Sequence, residues 1–373
     1  MNITKKIYNN FSTELENIWN DFEKNSNNFC FQNFYWLKNW YFSLNENKKP
    51  DIYNVLIYKE NKLIMILPLC VTSKNRTKYL TWQGGERSDY MTCLLAKDFF
   101  LEKKIFILIW NEVLKEIKNY DIIYFYRQPN KINDLKNPFV NYLPNKIDNT
   151  ASSILLEENF NLFLNKNLKK KFIYDTERRI RNIKKIGKVE FKVYQNYTID
   201  QINSKVKELL DYKIKRLKQQ KLKNPFNDEA IKFYENFDNK YFENGSLHYS
   251  TLSINEKNIS FHWGIVHKKI FYHLIPCVSD VAFFKYSPGR IHTLELIKWS
   301  IKNKLKKFDF TIGDENYKKD WINQKELLFS YMKLCNFSSF WDYFCIYFKT
   351  NIKNVLIFKK IYKIIKANVK KIY

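Results

Sequence analysis

Residues 308–321 read FDFTIGDENYKKDW, and this stretch decides the fold that we expect. Phe308, Phe310 and Ile312 alternate with polar residues, which predicts a strand with one face on a hydrophobic core. A glycine then interrupts the alternation, and an acidic pair follows it. The stretch therefore predicts a half-buried strand that leads directly into a polar segment.

A strand-to-helix junction lies upstream of that strand, at residues 284–291, FKYSPGRI. The free N–H groups and the dipole at a helix N-terminus attract anions such as a pyrophosphate. Gly289 lets a ligand approach the backbone closely, and Arg290 adds positive charge. The same Ser-Pro-Gly sequence is also an ordinary turn ahead of a helix, so the junction alone does not establish a site.

Three strands are predicted before the junction. Residues 246–254, 258–267 and 270–278 are rich in aromatic and β-branched residues, and short polar turns separate them. This pattern is typical of an antiparallel meander. A strand at residues 189–194 and two helices are predicted to come before it.

After the junction, apolar positions from Ile291 to Leu305 recur at helical spacing and predict a helix. Beyond the strand at 308–312, the aromatic-rich segments 328–337 and 341–348 are predicted to be two more strands. The predicted order of the second half is therefore β-α-α-β-β-β-α-β-α-β-β.

The first half of the chain has an α/β pattern of its own. Apolar runs at residues 53–58 and 63–69 flank a polar turn, which predicts a hairpin. Residues 99–118 have helical spacing and lead into a predicted strand at 121–126. Both halves therefore combine strands with flanking helices.

The length of the chain indicates two domains, because 373 residues exceed what one hydrophobic core usually organises. Periodicity disappears around residues 130–149, where prolines cluster, and we place a linker there. We expect a first domain over residues 1–145, a second over 151–348 and a basic amphipathic tail over 349–373.

Residues 284–291 and 308–321 together resemble the acetyltransferase domain of the GNAT superfamily in CelD-like proteins. That family is associated with cellulose and other envelope polysaccharides, and it is related to FemAB-like transferases. The first half resembles it more loosely, through residues 36–40, 66–69 and 88–90. The resemblance implies an α/β fold of two tandem GNAT-like domains, each a mixed, largely antiparallel central sheet flanked by helices.

The resemblance also implies a reaction, the transfer of an acyl group from an acyl-CoA, most simply acetyl-CoA. The acceptor is expected to be a small molecule, a sugar or an envelope-polysaccharide precursor. The implied ligand contacts are Ser287, Gly289, Arg290 and Ile291 for the cofactor, and Asp309, Lys318 and Trp321 for the acceptor. The junction lacks the fuller glycine pattern of well-characterised GNAT enzymes, so an aminoacyl-tRNA donor, as in FemAB-like transferases, stays open.

Direct acyl transfer needs a base for the attacking group and an acid for the leaving thiolate. Asp314 and Glu315 are candidate bases, and Tyr317 is a candidate acid. His262 is a further catalytic candidate, because neighbouring predicted strands bring it close to His273. The structural alternatives are a helix-capping acidic pair, a packed tyrosine and packed or solvated histidines. No carboxylate or cysteine accompanies the histidines at ligand spacing, so no metal is expected.

The chain is strongly basic, with 64 Lys and Arg against 38 Asp and Glu and a formal net charge of +26. Such a charge favours polyanionic partners. An AT-rich coding bias towards Lys, Asn, Ile, Tyr and Phe explains much of the same charge. The basic helix predicted at residues 166–188 is either a solvated face or a guide for a phosphorylated ligand. A non-catalytic polyanion-binding protein on a GNAT-like scaffold is therefore an alternative, although no nucleic-acid motif supports it.

The sequence also indicates a location. No apolar run approaches the roughly 20 residues of a membrane-spanning helix, and the N-terminus lacks a signal-peptide pattern. We therefore expect a cytoplasmic protein. Residues 351–373 place apolar residues at helical spacing with lysines alongside, so the tail either packs on its own domain or contacts the anionic inner face of a membrane.

Overall fold

The computed structural model describes residues 2–194, 198–237, 245–313 and 315–352. Asp314 and the tail from residue 353 onward lie outside the described residues. The described residues form one continuous 14-stranded sheet with helices on its faces. A separate two-stranded ribbon lies beside it.

The first half begins with a strand, two helices and an antiparallel meander. Its strands are β1 (Ile3–Tyr8), β2 (Ser26–Asn27), β3 (Asp51–Lys59), β4 (Lys62–Lys74), β5 (Thr77–Trp82), β6 (Leu94–Ala96) and β7 (Ile122–Pro129), and its helices are α1 (Thr13–Lys24), α2 (Phe34–Ser43) and α3 (Lys103–Glu116). Side-chain caps begin the first two helices: Ser12 accepts from the Leu15 amide, and Asn33 accepts from the Tyr35 amide. The predicted hairpin is confirmed as β3 and β4.

Short elements connect the halves where the sequence predicts a linker. They are β8 (Lys131–Ile132), β9 (Leu135–Lys136) and α4 (Pro138–Tyr142), and they lead into β10 (Lys146–Leu155). Asn137 caps α4 by accepting from the Phe139 amide, and Pro138 occupies its first turn.

The second half repeats the pattern of the first. Its strands are β11 (Val189–Tyr194), β12 (Gly245–Ile254), β13 (Lys257–His267), β14 (Ile270–Val278), β15 (Lys307–Ile312) and β16 (Gln324–Leu334), and its helices are α5 (Phe160–Asn167), α6 (Lys170–Lys184), α7 (Ile199–Gln219), α8 (Asp228–Glu235), α9 (Pro288–Lys302) and α10 (Phe340–Ile352). The predicted meander is confirmed as β12, β13 and β14, which pair antiparallel.

The internal repeat is visible in the sheet. In the first half β5 runs parallel to β7, and in the second half β14 runs parallel to β15. Each parallel pair follows an antiparallel meander and is connected through one helix, α3 or α9. The two halves therefore have the same tandem arrangement, a mixed and largely antiparallel sheet flanked by helices.

The halves join into one sheet through two strands outside the repeat. The order is β1-β3-β4-β5-β7-β16-β10-β15-β14-β13-β12-β11. β16 is the last strand in chain order, but it lies between β7 and β10 and is antiparallel to both. A shared core also links the halves, because Trp36 of α2 contacts Phe233 and Phe237 at ring-centroid distances of 5.0 and 5.2 Å.

One predicted strand is wrong. Residues 341–348 are helical and belong to α10, whose inner side carries Asp342, Tyr343 and Ile346. Asp342 and Tyr343 lie four and three residues before Ile346, and all three are half-buried, which fits one side of a helix rather than an alternating strand. Within the part of the chain that the structure describes, no helix has both the length and the apolarity to cross a bilayer.

Candidate functional site

A cavity of about 550 Å³ opens where β14 ends and α9 begins. Its walls come from α7, α9, β13, β14 and the segment after β15. Its lining includes Phe172, Lys213, Arg216, Phe261, His262, His273, Cys277, Ser287, Gly289, Arg290, Leu296, Tyr317 and Trp321. Apolar and aromatic walls with a few converging polar groups are typical of small-molecule sites.

The local sequence explains why α9 starts at this opening. Ser287 has a left-handed φ of 53°, which turns the chain sharply, and Pro288 supplies the fixed φ favoured in a first helical turn. The amides of Arg290 and Ile291 both donate to the Ser287 carbonyl, at 3.0 and 3.3 Å. The Gly289 amide has no partner among the described residues, so one donor of this helix terminus is free.

Gly289 also leaves space for a ligand. A Cβ added there would meet only Val278 Cγ2, at 3.4 Å, which is ordinary van der Waals contact. The fold itself would tolerate a Cβ at this position, but the glycine keeps the backbone accessible from the cavity. The start of α9 therefore presents one free backbone amide beside the cavity, and anion binding at this junction stays a prediction.

A charged network fixes the opening. Asp175 of α6 accepts from Arg178 at 2.6 Å, Arg179 at 2.9 Å and Arg290 at 2.7 Å. These hydrogen bonds, Arg179's first, hold the pKa of Asp175 below its ordinary value. Arg179 also donates to Ser287 Oγ at 2.8 Å, which ties α6 to the start of α9.

Two cations of α7 face the same cavity, one helical turn apart. Lys213 Nζ donates to the Pro276 carbonyl at 2.7 Å, and burial lowers the pKa of this amine. The Arg216 guanidinium lies over the Phe284 ring, 4.5 Å from its centroid. Neither has a carboxylate within ion-pair distance in the described ranges. The cavity therefore carries positive charge that an anionic ligand can neutralise.

Histidines form the inner wall of the cavity. The rings of His262 and His273 are 4.4 Å apart between centroids, as the adjacent strands predicted. His292 lies beyond them and uses both ring nitrogens, with Ser250 Oγ and Ser260 Oγ each 2.9 Å away. Burial lowers the pKa of all three imidazoles, so they are neutral near pH 7.

His262 differs from its neighbours in its hydrogen bonding. Its side chain is 1% exposed, yet neither ring nitrogen has a hydrogen-bond partner among the residues described. A buried polar group without a partner is costly, and such groups concentrate at functional sites. A neutral imidazole offers one donor and one acceptor, so His262 can both position a ligand and accept a proton from it.

The structure places six of the predicted site residues on the cavity wall. They are His262, Ser287, Gly289, Arg290, Tyr317 and Trp321. Burial raises the pKa of the Tyr317 hydroxyl, so it is protonated at neutral pH and can act as a donor. Arg290, however, is already paired with Asp175, which limits its freedom to bind a ligand directly.

The remaining predicted residues lie elsewhere. Ile291 is buried in a separate apolar cluster with Ile183 and Leu252. Glu315 is exposed and forms an ion pair with Lys318 at 2.8 Å. Asp314 lies outside the described residues. The cavity therefore contains no acidic group from the Gly-Asp-Glu run among the residues that can be located.

Asp309 and Lys318 support the end of β15 from inside the protein. Asp309 accepts from Tyr90 Oη at 2.8 Å and from the Thr311 amide at 2.7 Å, so it connects the two halves. Lys318 Nζ donates to the carbonyls of Phe310 and Ile312 at 3.0 and 2.8 Å. Neither side chain lines the cavity. These contacts hold Thr311 in the left-handed region, with φ of 57°.

Sequence reasoning did not single out Arg179, Lys213 or Arg216. Arg179 belongs to the basic helix for which a solvated face was one interpretation, and the structure instead bonds it to Ser287. Lys213 and Arg216 are spaced three residues apart, so they share one face of α7. The sequence shows this spacing, but it does not show that this face of α7 packs against β14.

Comparisons with known proteins show what the fold is similar to. Residues 170–319 match the family described as acetyltransferase (GNAT) domain. FemX superposes with a TM-score of 0.57 at 10% identity, covering 86% of this chain and 96% of FemX. A conserved protein of unknown function from Bacteroides thetaiotaomicron superposes with a TM-score of 0.54 at 12% identity, covering 88% of this chain and 99% of that protein.

No curated protein matches the sequence significantly. The matched segment runs from α6 to the turn after β15 and contains all of the cavity lining except Asp320 and Trp321. The second half therefore has a GNAT-type acyltransferase fold, and the structural matches extend the similarity in fold across both halves.

Proposed function

We propose that the protein transfers an acyl group, most simply acetyl, from coenzyme A to an amine or hydroxyl acceptor. One observation carries the proposal: a single cavity runs from the free Gly289 amide to the unpartnered ring of His262. An anion-binding helix terminus at one end and a proton acceptor at the other suit a phosphorylated acyl donor.

The donor is proposed to lie along the cavity with its phosphates at the opening. There the Gly289 amide, the α9 dipole and the charges of Lys213 and Arg216 favour an anion. The apolar walls, which include Phe261 and Leu296, suit the pantetheine arm. The thioester then lies near His262, where water is largely excluded.

The chain's own residues account for both proton transfers. An acceptor N–H or O–H donates to a ring nitrogen of His262 while its heavy atom attacks the thioester carbonyl. The new C–N or C–O bond forms, the C–S bond breaks, and Tyr317 donates a proton to the leaving thiolate. Burial disfavours a lasting imidazolium, so His262 releases its proton to solvent as the products leave, and the half-exposed Tyr317 regains a proton from solvent, which restores both groups for the next turnover.

The CelD-like resemblance favours a sugar or an envelope-polysaccharide precursor as the acceptor, and this remains a proposal. The similarity in fold to FemX favours a second candidate, in which the acyl group is an amino acid carried by tRNA. The same cationic opening suits either phosphorylated donor. The two candidates differ in whether free coenzyme A competes for the cavity.

We assign the reaction to the domain proposed at residues 151–348, since the cavity lies wholly within it. The domain at residues 1–145 is proposed to support it through Tyr90 and the shared core. Cytoplasmic location and contact of the 349–373 tail with a membrane remain proposals that the sequence motivates.

Calorimetric titration with acetyl-CoA tests the proposal. The wild-type protein is expected to bind in the micromolar range at both moderate and high salt. Gly289→Val should abolish binding by filling the approach to the free amide, whereas the matched control Gly289→Ala should weaken it only slightly. Binding that disappears as salt rises indicates non-specific polyanion attraction and contradicts the proposal. Absence of binding at either salt excludes coenzyme A as the donor.

A further inference from the structure

The outward side of α10 and of the turn before it is a row of aromatic side chains. We call this row the aromatic ridge, and it consists of Phe337, Phe340, Trp341, Phe344 and Phe348. Phe337 is 79% exposed and Trp341 is 73% exposed. Soluble proteins usually expose apolar residues singly, so a contiguous exposed apolar patch indicates an interaction surface.

The ridge is held in place by the opposite side of the same helix. Asp342 accepts a hydrogen bond from Thr77 Oγ1 of β5, and Ser339 Oγ lies 3.3 Å from the same hydroxyl. Lys146 Nζ lies 3.7 Å from the centroid of the Tyr347 ring. The inner side of α10 is therefore bound to the sheet, and the aromatic ridge faces away from it.

Cations flank the site where α10 attaches. Lys74, Arg76 and Lys78 are exposed on either side of Thr77, and none forms an ion pair with a described residue. Lys349 follows the ridge, and the sequence of residues 353–373 adds seven lysines and no acidic residue. Exposed aromatic rings on an element that also carries and attaches beside basic residues are typical of surfaces that bind the interface of an anionic bilayer.

We propose that the aromatic ridge inserts into the headgroup region of a bilayer that contains anionic lipids. This surface is independent of the cavity and of the reaction assigned to it. Trp341 is the residue expected to insert most deeply, because its indole is both the largest side chain of the ridge and one of the most exposed.

The ring geometry favours lipid over nucleic acid. Within the ridge the Phe337–Phe340, Phe340–Phe344 and Phe344–Phe348 pairs are stacked, with interplanar angles of 25°, 24° and 18°. Faces that stack on one another are less available to nucleobases, which bind aromatic side chains face to face. A second copy of the chain is also disfavoured, because each copy carries a formal charge of +26.

Vesicle flotation tests the proposal with purified protein. Vesicles containing phosphatidylglycerol should bind the wild-type chain, and vesicles of phosphatidylcholine alone should bind it much less. The double variant Trp341→Ser, Phe344→Ser should lower the partition coefficient by at least roughly tenfold. Phe100→Ser removes an aromatic residue that is 71% exposed on the loop before α3 and should leave binding unchanged.

Quenching by brominated lipids locates the contact. The other eight tryptophans are buried or half-buried, so acyl-chain bromine should quench mainly Trp341. Trp341→Phe keeps the ridge apolar, so this variant should still float with vesicles while losing most of the quenching. The proposal is overturned if the double variant floats like wild type, or if no vesicle binds the chain. It is also overturned if the ridge instead supports a dimer in sedimentation or binding to single-stranded RNA.

Discussion

All five histidines of the chain are buried, which predicts a steep loss of stability in mild acid. Burial lowers the pKa of His248, His267 and His292 to about 3. It also lowers the pKa values of His262 and His273 well below the ordinary 6.5. The unfolded chain binds protons at these sites below pH 6.5, and the folded chain does not.

The sign and size follow from proton linkage. A histidine whose pKa is depressed in the folded state contributes its full stability above pH 6.5. Below that pH the free energy of unfolding falls by about 1.4 kcal/mol per pH unit for each such histidine. Between pH 7.0 and 5.5, five such histidines together remove about 6 kcal/mol. Glu23 acts in the opposite direction, because burial raises its pKa to about 7 and its protonated form is favoured in the folded state. That offset is about 2 kcal/mol, which leaves a net loss of about 4 kcal/mol.

Such a loss is a large share of a typical stability of about 5 to 15 kcal/mol. Urea denaturation at pH 7.0, 6.5, 6.0 and 5.5 measures it as a falling midpoint. His267 does not line the cavity. The variant His267→Gln should therefore remove about one of the five protons from the pH dependence of unfolding without changing the cavity wall. A midpoint that stays constant over this range would refute the buried, neutral state of the histidines.

Three further predictions concern the cavity. Gly264→Ala should lower the free energy of unfolding by about 2 kcal/mol or more, because the new Cβ would lie 2.6 Å from His262 Cε1 and closer still to the Tyr272 carbonyl. The control Gly289→Ala should change it by less than about 0.5 kcal/mol, and the urea midpoints of the two variants measure the difference. Lys213→Met should weaken coenzyme A binding about tenfold while Lys215→Met on the same helix does not, and equal affinities in calorimetry would remove Lys213 from the donor site. Asp175→Asn should weaken coenzyme A binding severalfold by releasing Arg179 and Arg290 from their fixed positions, and an unchanged dissociation constant would show that this network does not organise the opening.

The sequence predicts those parts of the fold that depend on local patterns. The alternation of apolar and polar residues at 308–312 predicted β15, and the polar turns predicted where the strands of the meander end. In the turn between β13 and β14, Lys268 and Lys269 adopt left-handed φ values of 46° and 63°, as tight hairpins require. The helix after the Ser-Pro-Gly junction was also predictable, because Pro288 and Gly289 occupy positions that suit a first turn.

Long-range arrangement was not predictable in the same way. β16 lies between the halves, and nothing in its own residues specifies β7 and β10 as neighbours. Residues 341–348 were wrongly predicted as a strand, because aromatic residues are common in strands and the inward positions only become evident from the contact between Asp342 and Thr77.

In the candidate site, too, local features were predictable and long-range contacts were not. Gly289 and His262 were found from motif and strand adjacency, which are local features. Asp309 and Lys318 have the residue types of a binding site, but their hydrogen bonds to Tyr90 and to the carbonyls of Phe310 and Ile312 occupy them inside the protein. Sequence alone cannot distinguish a buried charge that is bonded inside the protein from one that faces a ligand, since both occur at the end of a strand.

The most direct test of the account is the crystal structure of the protein with acetyl-CoA. We predict that the pyrophosphate contacts the Gly289 amide and that the thioester lies within hydrogen-bonding reach of His262, about 3 Å from a ring nitrogen. Acetyl-CoA bound elsewhere on the chain, or bound with its thioester pointing away from His262, would contradict it.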